Sequence, residues 1–390
     1  MQSPARLHYL DNLRALAMLS GVLFHAALAY SPMLHPLFPT ADRQNAAVVD
    51  LIVWFPHLFR MPLFFILAGF FAALMIERRG MAGMMRNRLL RVALPFALFW
   101  PLLHHALSAT TLHAAQTVQQ LSPLLALILQ FQQAEGLPSM PPGTAHLWFL
   151  YYLIWFYLLV WAARALQVEH WAERLCAWRP SLQLGVLPLA LVPALASVSA
   201  PHPAPESLMP QFWAFGFFGL FFAWGYGLLR QQQLIERLRP YALGLLAGSI
   251  ILYGLWISLI RAYADGAQMG WQTALLQASL AAYISVWMSL VCLVSGRALL
   301  NRSNRLLRYL ADTSYWIYLV HLPVLFLIQY RLLDLPWHWT VKFIVAVALT
   351  FALALIGYEL LVRRTVLARL LGPSRSARQA PAAAASRGMA

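Results

Sequence analysis

What the sequence has little of narrows it first. Charge is scarce: only 11% of the 390 residues are Asp, Glu, Lys or Arg, where a soluble domain carries about a quarter. Lysine is nearly missing, since all but one of the 28 basic residues are arginines and the exception is Lys342. The two cysteines, Cys176 and Cys292, have neither metal-site spacing nor the pattern of a disulfide framework, and no disulfide is expected. There is no G-x-G-x-x-G or G-x-x-x-x-G-K-[ST] loop, no H-E-x-x-H and no G-x-S-x-G elbow. Together these absences exclude a soluble enzyme, a nucleotide-loop fold, a zinc peptidase and a serine hydrolase of the elbow type, and no metal site is expected.

What is abundant is apolar surface, 61% of the residues. A membrane span needs about 20 consecutive apolar residues, and ten runs qualify: 9–31, 50–76, 89–110, 146–166, 182–199, 210–230, 240–262, 272–296, 312–331 and 339–363. The fold class expected is therefore an all-α polytopic membrane protein, a bundle of about ten transmembrane helices whose solvent is the lipid bilayer. The net charge of +15 sits in loops that orient such spans, so no nucleic acid partner is expected. Segments 77–91, 164–179, 230–239 and 297–308 hold Arg78, Arg79, Arg86, Arg88, Arg91, Arg164, Arg174, Arg179, Arg230, Arg237, Arg239, Arg297, Arg302, Arg305 and Arg308. The alternate loops are nearly free of cations and hold Asp42, Asp50, Glu135, Glu206, Asp265 and Asp334. That alternation predicts both termini in the cytoplasm.

The domain layout read from this is a membrane domain over 1–371 and a small, basic, non-periodic tail over 372–390, expected to be disordered. Ala27-Leu28-Ala29 resembles a signal-peptide cleavage site, but a cleaved segment has no use for Arg14 and His25, so the first run is read as a retained span. LSPLLALILQF at 121–131 is too short to span and is read as an interfacial or re-entrant helix. The surrounding outside loop, 111–145, contains Pro138, Pro141, Pro142 and Gly143 and is expected to form a structured cap over a cavity.

Ionisable residues at membrane depth are costly and point to function. The first run, DNLRALAMLSGVLFH, carries Asp11, Arg14 and His25. Eleven residues are close to three helical turns, so Arg14 and His25 share a face about 16 Å apart along the axis, while Asp11 and Arg14 form an i,i+3 pair. Arg60 lies inside the outer end of the second run, with His57 one turn earlier. The fourth run opens on His146 and Trp148, the second of which an interfacial aromatic belt also explains. On the ninth, Tyr318 and His321 share a face, Ser314 lies one turn before, and Pro323 loosens the helix. Glu359 lies near the inner boundary of the tenth and wants a partner such as Arg. What this leaves is histidine acid/base chemistry in a polar interior.

The stretches YLDNLRALAMLSGVLFHAALAYS, with Arg14 and His25 in an R-x10-H arrangement, FRMPLFFILAGFF, HLWFL, IYLVHLP and YELLVRR occur in that order over residues 6–371. In this they resemble the acyltransferase family 3 membrane acyltransferases, and within them the glucan-modifying branch. Ala68 stands where many members have Ser, so that Ser is not essential to the mechanism considered. The resemblance implies an O-acyltransferase of the bacterial inner membrane. Its donor substrate is acyl-CoA, succinyl-CoA or acetyl-CoA, with no permanently bound cofactor. Its acceptor is a hydroxyl of a periplasmic glycan, with glucan-synthesis proteins as partners. Carried over, His25 is the general base and Arg14, paired with Asp11, handles the donor phosphates. Arg60 stabilises the oxyanion or pairs with a succinyl carboxylate. His146, Trp148, Tyr318, His321 and Glu359 are candidate substrate contacts. Two rivals stand beside this reading. A transporter with a polar central cavity predicts inverted repeats, and none is visible; a membrane scaffold tolerates loss of His25.

Overall fold

The computed structural model describes residues 8–133, 143–263, 269–301 and 304–372, and apart from one isolated β-bridge, Gly143 to Ser207, its regular elements are helical. In chain order they are α1 (His8–Leu28), α2 (Ala47–Arg88), a π turn (Leu89–Ala93), α3 (Leu94–Thr117), α4 (Pro123–Gln133), a 3-10 turn (Ala145–Leu147) and α5 (Trp148–Ala165). Then come α6 (His170–Ala177), α7 (Pro180–Ala196), α8 (Phe212–Leu228), α9 (Gln233–Leu238), α10 (Ala242–Ala262) and α11 (Trp271–Leu299). The chain ends on α12 (Arg305–Leu333), α13 (Trp339–Gly357) with a π turn (Tyr358–Val362), and α14 (Leu367–Leu371).

Each of the ten predicted runs falls on one of these helices. Six helical stretches are long and apolar enough to cross a membrane by length and composition, and the first of them, Ala47–Thr117, contains two of the predicted runs. The apolar helices α7 and α8 are shorter, and α1 lies outside the set. The chain is a polytopic, all-helical membrane protein. The short apolar run is α4, eleven residues packed on α3 with Leu125 buried beside Ala114, Ala115 and Phe326.

One expected loop is not a loop. Residues 77–91 continue α2 as helix, broken only at Gly80, whose φ of 69° is open to glycine and rarely to other residues. The chain then enters α3 through the π turn, so the basic residues of this stretch are held on helical backbone. Glu135, Asp265, Arg302, Pro138, Pro141, Pro142 and the tail from 373 lie outside the described residues.

Two features hold the bundle in register. The first is a close approach of α2 and α8: a Cβ at Gly69 would overlap the Phe222 carbonyl, and one at Gly225 the Ile66 carbonyl. Small residues that let backbones touch are the usual device where lipid supplies no hydrophobic drive between helices. The second comes from proline, which lacks the N–H that the carbonyl four residues earlier would accept. In lipid that carbonyl must find a donor, and at four prolines a neighbouring helix provides it. The Ser285 hydroxyl donates to the Leu58 carbonyl at 2.6 Å, opposite Pro62. Trp287 Nε1 donates to the Leu184 carbonyl at 3.0 Å, opposite Pro188. The Tyr315 hydroxyl donates to the Arg91 carbonyl at 2.9 Å, opposite Pro95. His146 Nε2 reaches the Leu319 carbonyl at 2.9 Å, opposite Pro323. Two of these donors, Ser285 and His146, line the cavity described next.

Candidate active site

α1 packs against α2, α11, α12 and α13, and its polar face opens on two cavities. The inner one, about 570 Å³, is lined by Arg14 from α1, Arg78, Arg79 and Arg88 from α2, Arg91 from the π turn and Arg308 from α12. Asp11 and Asp312 are the carboxylates beside them among the described residues. Arg14 is half-exposed; it meets Asp11 at 3.5 Å and lies 5.4 Å from the Phe71 ring centroid. Arg88 lies over Tyr157 at 4.9 Å, with its Nε buried and without a hydrogen-bond partner. Asn304, which caps α12 by accepting from the Leu307 N–H, borders the same space. A cavity so rich in arginine suits a polyanion, because guanidinium groups match phosphate oxygens in charge and geometry.

The outer cavity, about 100 Å³, gathers His25, His57, Arg60, His146, His202 and His321. Ser285, Tyr318 and Trp148 add further polar groups, phenylalanines and Trp213 fill the rest of the aromatic lining, and no carboxylate among the described residues borders it. Arg60 is buried at 9% exposure, stacked 4.4 Å from the Phe24 ring, with one long hydrogen bond of 3.4 Å to the Ser20 carbonyl. No acid among the described residues pairs with it. Met18, Phe64 and Phe149 border both cavities. All three are buried, and they form an apolar partition between the arginine space and the histidine space.

The histidine protons separate one ring from the rest. A carbonyl only accepts, so a ring nitrogen facing one carries the hydrogen. His57 donates Nε2–H to the His202 carbonyl at 3.1 Å. His146 donates Nε2–H to the Leu319 carbonyl, and His321 donates Nδ1–H to the Tyr318 carbonyl at 2.7 Å. Each of these three has spent its one neutral-state proton on the backbone. Nδ1 of His146 and Nε2 of His321 are left buried without partners. The half-buried His25 ring makes no hydrogen bond to any described residue, and it stands 5.3 Å from the His321 ring, centroid to centroid. It is the ring in this group whose orientation no hydrogen bond to a backbone carbonyl fixes. His202 belongs to loop 197–211, and its burial pushes its pKa down to about 3, so it stays uncharged. Although five histidines gather here, no group of three His, Cys, Asp or Glu among the described residues could hold a metal ion.

Local backbone aims His146. Ala145 before it adopts φ 46°, a left-handed conformation that costs a non-glycine residue on the order of 1–3 kcal/mol. The strain is held by Thr144, whose N–H and hydroxyl both reach the Glu206 carbonyl, and by the Tyr318 hydroxyl, which donates to the His146 carbonyl at 2.7 Å.

Most residues singled out in the sequence are brought together, in two groups. His25, Arg60, His146, Trp148, Tyr318 and His321 share the outer cavity, while Arg14, Asp11 and Ser314 border the inner one. Glu359 borders neither; it accepts from Tyr309 at 3.0 Å and from Arg363 at 2.6 Å, the arginine partner its position called for. Of the expected cap 111–145, residues 134–142 lie outside the described residues. Among the described residues, none of 111–133 or 143–145 borders the outer cavity, and His202, Pro203 and Ala204 of the loop before α8 do. That loop is pinned to α5 by the hydroxyl groups of Tyr151 and Tyr152. His57 read as interfacial by position, and His202 carried no signal beyond its type.

An acyltransferase domain model matches residues 7–359. The chain belongs to acyltransferase family 3. Among its relatives are proteins named glucans biosynthesis protein C from three Salmonella strains. That of Salmonella paratyphi B is 25% identical over 390 residues, that of Salmonella heidelberg 24% over 386, and that of Salmonella schwarzengrund 23% over 388. Each match covers 92% of this chain and 92% of the relative. No solved structure matches this family 3 chain. The family match spans α1 to the start of the last π turn, and so includes the whole lining of the outer cavity and that of the inner one apart from Leu370, Leu371 and Gly372.

Proposed function

We propose that this family 3 acyltransferase moves an acyl group from cytoplasmic acyl-CoA to a hydroxyl of a periplasmic glycan, across the bacterial inner membrane. The observation that carries the reading is the pair of cavities that share Met18, Phe64 and Phe149 in their walls. The phosphates of the donor sit among the arginines of the inner cavity, and its pantetheine arm passes the partition to bring the thioester to His25. The glycan enters under loop 197–211. As its oxygen attacks the thioester carbon, His25 takes the hydroxyl proton; Arg60 faces the oxyanion. Collapse breaks the C–S bond, and His25 returns the proton to the departing thiolate. A succinyl group gives Arg60 a second use, a charge-assisted pair with the distal carboxylate. Within this reading the relatives' name favours a glucan as acceptor.

Transfer of radiolabelled succinyl or acetyl groups from CoA to a purified glucan by the detergent-purified protein tests the reading. Uptake of labelled substrate into proteoliposomes without acylated product would instead favour a transporter. A narrower measurement concerns Arg14. Arg14→Gln should weaken acyl-CoA binding by about 1.5–3 kcal/mol, the worth of a charge-assisted contact, with the fold intact. Unchanged donor affinity by calorimetry would leave Arg14 as a helix anchor for Asp11. The reading also requires ten spans with both termini inside. Reporters fused after Arg86 and at the C-terminus should read cytoplasmic, and those in 111–145 periplasmic; a periplasmic C-terminus would remove the ten-span arrangement.

A further inference from the structure

We propose that His321 is a positioning residue for His25, its Nε2 accepting the His25 ring N–H during acyl transfer. The inference rests on the reading of His25 as the base. A histidine that takes a proton from a hydroxyl needs its far nitrogen held, so that the right tautomer faces the substrate and the imidazolium is stabilised. In hydrolase triads a carboxylate does this. Here no Asp or Glu among the described residues borders the cavity, and a neutral acceptor is left to hold that nitrogen.

The groups facing this space are few. Arg60 and His57 come from α2, His146 from the turn before α5, His202 from the loop before α8, Ser285 from α11, and Tyr318 and His321 from α12. Arg60 can only donate. The Tyr318 hydroxyl donates to the His146 carbonyl and the Ser285 hydroxyl shares its hydrogen between the carbonyls of Leu58 and Ala281, and neither is hydrogen-bonded to His25. Of the imidazoles, His321 alone is in ring contact with His25. Its Nδ1–H is fixed on the Tyr318 carbonyl, so Nε2 carries a lone pair, and that atom is buried without a partner. An unmet buried acceptor of this kind costs about 1–3 kcal/mol, and a donor relieves it. The neighbouring His146 cannot be that donor in its neutral form, because its hydrogen is on the Leu319 carbonyl. His25 can.

The spacing agrees. A nitrogen-to-nitrogen hydrogen bond of about 3 Å, with about 1 Å of ring radius at each end, puts two centroids about 5 Å apart; here they are 5.3 Å apart, tilted by 41°. A rotation of the His25 ring closes the contact, and catalytic hydrogen bonds commonly tighten only when substrate is engaged. In the reaction the hydroxyl proton goes to the outward nitrogen of His25 and from there to the leaving thiolate. His321 neither gains nor loses a proton; it accepts one hydrogen bond that strengthens while His25 is charged.

Two substitutions differing by one methylene test this. His321→Asn keeps an N–H for the Tyr318 carbonyl but does not reach His25; His321→Gln places an amide oxygen near the position of Nε2. With both proteins purified and binding acyl-CoA, His321→Asn should lower kcat by about 10- to 100-fold, the worth of a hydrogen bond to a charged group, with KM for donor and acceptor unchanged. His321→Gln should recover most of that kcat. His321→Ala offers the same contrast a second way, its turnover restored by added imidazole. Wild-type kcat in His321→Asn, equal losses in Asn and Gln, or a loss confined to KM would each overturn the pairing. An inactive His25→Gln beside a fully active His321→Asn would remove the pairing and leave His25 as base, whereas an active His25→Gln would remove the reading beneath it.

Discussion

His25→Gln should insert, fold and bind acyl-CoA, and transfer almost no acyl group. The loss expected from removing a general base is about 10²–10⁴-fold in kcat. Three of the other rings in the cavity, His57, His146 and His321, are each tied by a hydrogen bond to a backbone carbonyl and so are held away from the place that the His25 ring occupies. Arg60 cannot take over, since a guanidinium stays protonated in proteins. Donor binding should survive because the arginine cavity lies beyond the Met18, Phe64 and Phe149 partition. Turnover of labelled acyl-CoA, measured beside donor affinity in one preparation, checks both halves. Near-normal turnover would return His25 to a packing role and leave the site without its proton acceptor.

The second large effect falls on stability. Lys342, the chain's one lysine, sits 2.6 Å from Asp42, with the two side chains 2% and 5% exposed. Asp42 also accepts from the Gln44 N–H. The pair ties the loop after α1 to the start of α13. That same loop holds α12 through Thr40 and Gln329, and Gln329 in turn donates to the Ala26 carbonyl, next to His25. Removing one partner leaves a buried charge uncompensated, which typically costs about 3–5 kcal/mol. Lys342→Met or Asp42→Leu alone should therefore lower the thermal unfolding midpoint of the detergent-purified protein strongly. The double variant should recover most of the loss, since well-packed apolar replacements of a buried pair are often neutral. Single variants that unfold with the wild type would show the pair to be incidental.

Much of this was legible in the chain. Ten apolar runs with punctuating arginines are a length-and-charge pattern, and in lipid a run of that length has no option but helix. The Arg14 to His25 spacing, with Asp11 one turn before, likewise follows from helical geometry. The division of labour was not legible. Arg14 and His25 share a face, but whether one cavity or two lies along it depends on where Phe64 and Phe149 arrive from other helices. Glu359 was read by depth alone, and depth does not show that Arg363, one turn on, already occupies it. The cover on the outer cavity was assigned to 111–145 because that loop is long and rich in proline. Its proline-rich part, 134–142, lies outside the described residues, and the shorter 197–211 reaches His57, where the His202 carbonyl meets it. Neither the length nor the composition of 197–211 signalled that it folds inward.

The proline-freed carbonyls carry a consequence for how the sequence can change. Replacing a proline inside a helix with alanine ordinarily favours the helix by about 3 kcal/mol. At Pro323 the same change gives the Leu319 carbonyl back to its own helix, and the His146 ring then competes for an acceptor it now holds unopposed. A better helix would release the ring and allow its other tautomer. Residues 146 and 323, far apart in the chain and not in themselves a pair, are thus constrained to vary together through one oxygen atom. So are 285 and 62, through the Leu58 carbonyl.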